Sequence, residues 1–311
     1  MSHEPGQWPL VSVILPTRGR PVLVREALAA IVGQTYPGMI ECIVVHDQEP
    51  PQPELAELGD PRRSITIVAN SRSPGLAGAR NAGIALAHGE FIASCDDDDV
   101  WHSAKLHAQI SRLLEQPDLL VVGSGIRLML PSGKVIDWPA RAERISYQLL
   151  LRNRVKELHS STLVMHRDAF AKAGLYDEAV PNGYAEDYDW VLRAARVGRI
   201  GAVVSPLADI RKDAQSWYPG QAAMIVAGLE YLLAKHRDLA SSRRGRARLL
   251  GQIGFARSML GERREALRCA VTAIAAWPLS PHGYLALAHI TMRLDRRHVL
   301  RAARVFGRGL A

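Results

Sequence analysis

Four consecutive aspartates, Asp96–Asp99, follow directly on the apolar run Phe91–Cys95, and no other junction in the chain limits the possible folds so tightly. A Phe-Ile-Ala-Ser-Cys segment belongs inside a sheet, whereas four adjacent carboxylates repel one another and resist burial. The strand must therefore end where a cation or a set of donors absorbs the charge. Hard divalent ions take oxygen ligands, and Mg²⁺ is usually held by one or two carboxylates plus substrate phosphates. On an extended backbone Asp96 and Asp98 point to one side and Asp97 and Asp99 elsewhere, so the pair Asp96 and Asp98 is expected to grip one metal. An isolated acidic run is more often a solvated turn; the neighbouring segments favour a site.

Short apolar runs alternate with helical patterns through the first hundred residues. Val11–Leu15 reads as a buried strand stopped by Pro16, and Val24, Ala27, Leu28 and Ile31 give the following helix its apolar face up to Gly33. Cys42–Val45 and Ile65–Val68 read as the next strands, Gly78–His88 as a second helix, and Phe91–Cys95 as the strand before the aspartates. This order implies a mostly parallel sheet with helices on both faces, whose ligands bind beyond the carboxyl ends of the strands. Polar candidates stand there: Thr17-Arg18 after the first strand, Asp47 after the second, and Asp96–Asp99.

From about 118 to 215 the pattern is less regular. Leu119–Val122, Ser161–Met165 and Ile200–Val204 read as strands, and Pro131-Ser-Gly-Lys134 as a hairpin turn. The segment 184–198 reads as a helix with Tyr188, Val191, Leu192 and Ala195 as its apolar stripe and Gly198 as its cap. Glu186 and Asp187 fall in its first turn, where the helix dipole favours anions. Beyond about 220 the chain reads as helical, with one loosely tetratricopeptide-like hairpin over 250–278. Residues 269–292 carry no Asp, Glu, Lys or Arg, but Pro278 and Pro281 interrupt them, so two packed helices are expected rather than a membrane span.

Charge is unevenly distributed. Residues 243–311 hold 14 Arg, no Lys and three acidic side chains, a net +11 in a chain of net +8, which leaves −3 for the front. The basic end suggests docking to something anionic, such as lipid headgroups or an acidic partner. Aromatic interleaving is sparse there, so nucleic acid is not the expected partner. Cys42, Cys95 and Cys269 lack metal-ligand spacing, the first two lying in apolar runs, and the N-terminus has neither a basic head nor an apolar stretch. A cytoplasmic protein is expected, with peripheral contact at the inner membrane face through the basic helices.

Six motifs occur in order: Val11-Ser-Val-Ile-Leu-Pro-Thr17, Gln34-Thr-Tyr-Pro37, Glu41-Cys-Ile-Val-Val-His-Asp47, Gly78-Ala-Arg-Asn-Ala-Gly83, Gly89-Glu-Phe-Ile-Ala-Ser-Cys-Asp-Asp-Asp-Asp-Val-Trp101, and Glu186-Asp187. Together they resemble a family 2 glycosyltransferase over residues 9–215. The resemblance implies a GT-A-like α/β fold, with a catalytic domain over 1–217 (a nucleotide-sugar half at 9–101 and an acceptor half at 102–217) and a basic α-helical region at 218–311. It implies non-processive, inverting transfer of one sugar from a nucleotide-diphosphate donor, UDP- or dTDP-linked, to a glycan or lipid-linked acceptor, with Mn²⁺ or Mg²⁺. Asp96 and Asp98 match the Asp-x-Asp element for metal, diphosphate and ribose, with Asp97 between them. Asp47 matches the position that reads a pyrimidine edge, although His46 replaces the usual paired acid and Gln48-Glu49 the usual Gly-Ser. Pro16, Thr17, Arg18 and Arg80 fall at nucleotide-side positions. Asp187 matches the general base, with Glu186 beside it. The segment Arg211-Lys-Asp213 resembles a stretch in which a His often lies near the metal, and Asp213 stands in for that His. Trp101 is read as either pocket wall or core, Asn81 as a helix-to-sheet bond, and His159 and His166 as structural or acceptor-side.

Two other classes remain. A sugar nucleotidyltransferase shares the broad fold, but Pro16-Thr-Arg-Gly-Arg-Pro21 lacks the extra glycines of its phosphate loop. A catalytically degenerate assembly scaffold is disfavoured by intact Asp96, Asp98 and Asp187.

Overall fold

The structure, a computed structural model, describes residues 8–212 and 219–292. It divides into two compact units: the described parts of 1–147, 155–178 and 186–214, and those of 148–154, 179–185 and 215–311. Two short segments inside the expected catalytic span thus group with the C-terminal helices.

The first unit is built on a ten-stranded sheet. Its strands are β1 (Val11–Thr17), β2 (Ile40–His46), β3 (Arg63–Ala69), β4 (Phe91–Ser94), β5 (Val100–Trp101), β6 (Leu119–Met129), β7 (Val135–Trp138), β8 (Arg144–Ile145), β9 (Val164–His166) and β10 (Arg199–Arg211). The order is β3-β2-β1-β4-β9-β6-β10-β5, with β7 on β6 and β8 on β10. The first four strands are mutually parallel, β9 runs antiparallel between β4 and β6, and β10 returns parallel to β6. The chain winds from β1 to β3 in one direction and resumes with β4 on the other side of β1. That reversal is a topological switch point, and the crevice beyond it gathers the ends of β1, β2 and β4.

Helices α1 (Pro21–Val32), α2 (Leu76–Leu86) and α3 (Lys105–Glu115) cover the sheet. Val24, Ala27, Leu28 and Ile31 are the buried residues of α1, the expected set. They share a core with Val11, Val13 and Leu15 of β1 and with Leu106, Ile110 and Leu113 of α3. Helix α2 packs with small residues: a Cβ on Gly83 would lie 2.6 Å from Ile14 Cγ2 and 3.1 Å from Val45 Cγ2. This close approach holds the backbone carrying Arg80 and Asn81 near the strand ends.

Pro16 does not stop β1. It pairs with Val45 in register, and the strand continues to Thr17, because proline's fixed φ suits extended backbone and only one ladder donor is lost. The segment read as a strand over Ser161–Met165 opens instead as a 3-10 turn, Ser160–Thr162, before β9. The hairpin at Pro131–Lys134 joins antiparallel β6 and β7.

Helices α4 (Tyr147–Arg152), α5 (Asp168–Ala173) and α6 (Glu186–Val197) follow. The first two turns of α6 are buried on every side, Asp189 and Trp190 included, so the expected single stripe understates its burial. The second unit holds α7 (Pro219–Lys235), α8 (Arg237–Ser241), α9 (Arg243–Met259), α10 (Arg263–Ala276) and α11 (Pro281–Met292). Phe255 of α9 packs with Ala266 and Ala270 of α10 and with Ala286 and Ile290 of α11. The uncharged stretch 269–292 is thus split between two helices, and among the described residues no helix is long and apolar enough to cross a membrane.

Candidate active site

The aspartate run is not extended. Strand β4 ends at Ser94, and the Asp99 N–H donates to the Asp96 carbonyl at 3.2 Å, closing a turn. The turn replaces strand alternation and fans the four carboxyl groups toward different partners. Asp96 accepts from Arg80 at 2.6 Å and from the Ser160 hydroxyl, while its own N–H donates to Ser161 Oγ at 3.0 Å. Asp97 accepts from Thr17 Oγ1 at 2.8 Å and from Arg20 at 2.9 Å. The same guanidinium reaches Asp98 at 2.9 Å, whose side chain is 34% exposed. Asp99 accepts from Ser161 Oγ and from the Arg211 N–H.

Burial pushes the Asp97 carboxyl above its ordinary range, against the pull of Thr17 and Arg20. Asp98 rises through burial and the adjacent Asp96 charge, and Asp99 rises well above that range for the same two reasons with Asp98 added. Burial acts on Asp96 as well, but the charges of Arg80 and His159 and the Ser160 hydrogen bond hold it low. Ligand atoms of Asp96, Asp99 and His159 all lie within 4.8 Å of one another. Two carboxylates and an imidazole at that spacing suit a divalent cation, which would also relieve the crowded negative charge.

Arg80 joins this turn to α6. Its side chain is 1% exposed, one end donating to Asp96 and the other to Glu186, and its guanidinium lies 5.4 Å from the Tyr176 ring centroid. Glu186 is pushed up to about 7, chiefly by burial; Arg80 pulls it down while the Asp187 charge adds to the rise. Asp187 is 6% exposed and accepts the N–H of Tyr188 at 2.7 Å. The structure therefore brings Arg80, Asp96, Glu186 and Asp187 into one cluster from three separate stretches of chain.

Asp47 closes the other side of the crevice. Its N–H donates to the Thr17 carbonyl at 2.9 Å, and its carboxylate accepts from Asn70 at 2.8 Å, Gln48 at 2.9 Å and the Gly75 N–H at 3.0 Å. Burial alone would raise this group, but those three donors, with Arg18 nearby, hold it below the usual carboxylate range. Gly75 adopts φ +109° at the start of α2, a conformation that frees its N–H for Asp47. Pro16 is buried in β1, and Arg18 is exposed just beyond it.

Asp213 lies outside the described residues. Trp101 is core: it is 3% exposed, and its indole N–H donates to the Ser161 carbonyl. Asn81 ties α2 to the segment at 176–178 through both Tyr176 main-chain groups and Glu178. Arg20, Asn70, Tyr176 and Ser160-Ser161 escaped the sequence reading. Arg20 lies three residues beyond the end of β1 and Asn70 directly after β3, so extending the search past every strand terminus finds both. His159, read from the sequence as structural or acceptor-side, stands instead among the possible cation ligands.

The sequence profile described as Glycosyl transferase family 2 matches residues 12–173, more than half of the chain. The chain belongs to glycosyl transferase family 2. It is 28% identical over 144 residues to the UDP-Glc:alpha-D-GlcNAc-diphosphoundecaprenol beta-1,3-glucosyltransferase WfgD of Escherichia coli. That match covers 46% of this chain and 56% of the relative, so the chain spans about half of the curated protein's length. Among solved structures, S. aureus TarS 1-349 in complex with UDP superposes with a TM-score of 0.61 at 18% identity, covering 96% of this chain and 92% of that one. The mannosyltransferase PcManGT from Pyrobaculum calidifontis, in complex with GDP-Man and Mn²⁺, gives 0.58 at 20% identity, covering 98% and 88%. These likenesses establish the GT-A-like fold of the family 2 chain.

Proposed function

We propose that the chain transfers one sugar, with inversion, from a UDP- or dTDP-linked donor to a hydroxyl of a glycan or lipid-linked acceptor during surface-polysaccharide or glycoconjugate assembly. The Arg80 bridge carries the reading, because it joins the acidic turn at the donor end to the carboxylates that open α6. WfgD, TarS and PcManGT support a nucleotide-sugar donor by the sugar nucleotides or nucleotide in their names.

On this reading Asp47, with three donors fixing a carboxylate that has about four acceptor sites, keeps capacity for the N–H of a pyrimidine base. Thr17 and Arg20 hold Asp97 and Asp98 in place, while Pro16, Thr17, Arg18 and Arg80 border the nucleotide. Asp187 accepts the acceptor hydroxyl's proton as its oxygen bonds to the anomeric carbon, and the carbon–oxygen bond to the diphosphate breaks with its electron pair leaving on the phosphate. Glu186, paired with Arg80, keeps that guanidinium between the two carboxylate groups. A divalent cation, Mn²⁺ or Mg²⁺, supplies charge neutralisation at the departing diphosphate when bound. Asp98 with Asp96 is the ligand set read from the motif; Asp96, Asp99 and His159 form the set favoured by their mutual spacing. The net +11 over 243–311 supports peripheral contact with anionic membrane at the cytoplasmic face.

Donor hydrolysis across UDP-, dTDP- and GDP-sugars with Mn²⁺ tests the activity. Asp98→Ala and Asp187→Ala should each suppress turnover on the preferred donor, the first also weakening donor binding and the second leaving it nearly intact. Equal donor affinities in the two variants would mean that the roles are misassigned. Comparing Mn²⁺ affinity in Asp98→Ala and His159→Ala separates the two ligand sets.

A further inference from the structure

The helical unit contains a cavity of about 240 Å³ lined by Arg152, Arg244, Arg248, Ser280, His282 and Trp277, and among the described residues none that lines it is acidic. We propose that this cavity binds a phosphate-bearing group, as free diphosphate or on a lipid headgroup. The inference is independent of the transferase site, since every lining residue belongs to the second unit.

Three observations point to an oxyanion. Helix α9 brings Arg244 and Arg248 to the cavity from its N-terminal end and has no acid in its first turn. A helix N-terminus carries partial positive charge and favours anions, so the dipole and these guanidinium groups add to one field that attracts a negative group. Helix α11 also opens its N-terminal end to the cavity through Ser280, Pro281 and His282, again with no acid in its first turn. Finally, the fork of Arg244 is oriented: its guanidinium stacks 4.5 Å from the Trp277 ring centroid, and the neighbouring Arg243 donates to the Ala276 carbonyl. Guanidinium groups fixed in this way match the bidentate geometry of phosphate oxygens. The volume is below the usual range for drug-sized ligands, about 300–1,000 Å³, so it suits a phosphate or diphosphate head rather than a whole nucleotide sugar.

The test uses the full chain in EDTA at fixed ionic strength, titrated calorimetrically with inorganic pyrophosphate. In parallel it is sedimented with phosphatidylcholine vesicles containing or lacking phosphatidic acid. Arg152→Ala/Arg244→Ala and Arg248→Gln should each raise the pyrophosphate Kd at least tenfold. Arg246→Ala and Arg264→Ala, exposed arginines outside the cavity, should change it less than twofold. Far-ultraviolet circular dichroism confirms that each variant is folded, and the doubly substituted exposed pair keeps the test valid if Arg248→Gln does not fold. Selective loss of phosphatidic acid sedimentation in the cavity variants assigns the lipid source; selective loss of pyrophosphate binding alone assigns the soluble one. No pyrophosphate or phosphatidic acid binding, or equal losses in cavity and control variants, overturns the proposal. Donor hydrolysis by the same variants should match the parent, so failure here is distinct from failure of the transferase reading.

Discussion

Replacing Arg80 by Gln removes a cation held between the buried Glu186 and the partly buried Asp96. Arg80 is 1% exposed and donates to Asp96 and Glu186 at once. Deleting one partner of a buried ion pair costs about 3–5 kcal/mol, because an uncompensated charge stays behind in a poorly solvated site. That is a large part of the ~5–15 kcal/mol that holds a typical domain together. Glutamine keeps hydrogen-bonding capacity, so the loss reports the charge rather than an empty space. Arg80→Lys should lie between the two, since an ammonium is a point donor and cannot span both carboxylates as a fork does.

The pH dependence gives the prediction its sign. Arg80 lowers both Asp96 and Glu186, and Glu186 lies at about 7 even with Arg80 present. Without Arg80 both folded-state values rise, Glu186 further above its unfolded value near 4.3 and Asp96 up from below its unfolded value near 3.9. A carboxyl group whose folded pKa exceeds its unfolded pKa loses stability as pH climbs between the two, because the unfolded chain gives up its proton first. The Arg80→Gln deficit should therefore be larger at about pH 8 than at about pH 5. Urea unfolding at both pH values reads this directly, provided the denaturant slope stays at the parent value. A variant within about 1 kcal/mol of the parent at pH 8, or one losing equally at both pH values, would refute the buried-bridge reasoning.

Two further substitutions probe how the sheet supports the site. Lys105 is buried with its ammonium 3.9 Å from the Trp101 ring centroid, and burial lowers it to about 7. The unfolded chain thus binds the extra proton above pH 7, so parent stability should rise with pH toward about 10. Lys105→Met should stabilise most at about pH 6, with its advantage shrinking by roughly 2–3 kcal/mol at pH 9; a pH-independent difference in thermal unfolding would refute this. Gly83→Ala forces a Cβ to 2.6 Å from Ile14 Cγ2 and should cost about 1–3 kcal/mol. Ile14→Val should not relieve that cost, since valine keeps a Cγ2 there, whereas Ile14→Ala should recover part of it in a double-mutant cycle; strict additivity would place the strain elsewhere.

The parts of this fold legible in the sequence are those fixed by local periodicity. The spacing of Val24, Ala27, Leu28 and Ile31 located α1 and its buried face, and polar residues directly after apolar runs located Thr17, Asp47 and Asp96 at strand ends. Two local readings failed for identifiable reasons. Proline's stop signal holds for helices but not at Pro16, in a strand whose backbone already matches proline's φ. Strand alternation does not carry on into the aspartate run, because crowded carboxylates favour a turn that brings each within reach of a donor.

What the sequence leaves hidden is the pairing of donors with acceptors across long chain separations. Ser161 reads as the start of a strand, yet with Ser160 it forms a 3-10 turn that presents two hydroxyls to Asp96 and Asp99. Arg80 and Glu186 are 106 residues apart, and their motifs predict neither the distance nor the sharing of one guanidinium with Asp96. Such contacts follow from strand order: β9 enters antiparallel beside β4, so the turn leading into β9 meets the turn leaving β4. Order among strands is set by which apolar faces bury one another over the whole sheet, a property that no window of ten or twenty residues contains. The residue types at a site can thus be read from a single chain, while the charge balance that tunes them depends on the sheet that brings them together.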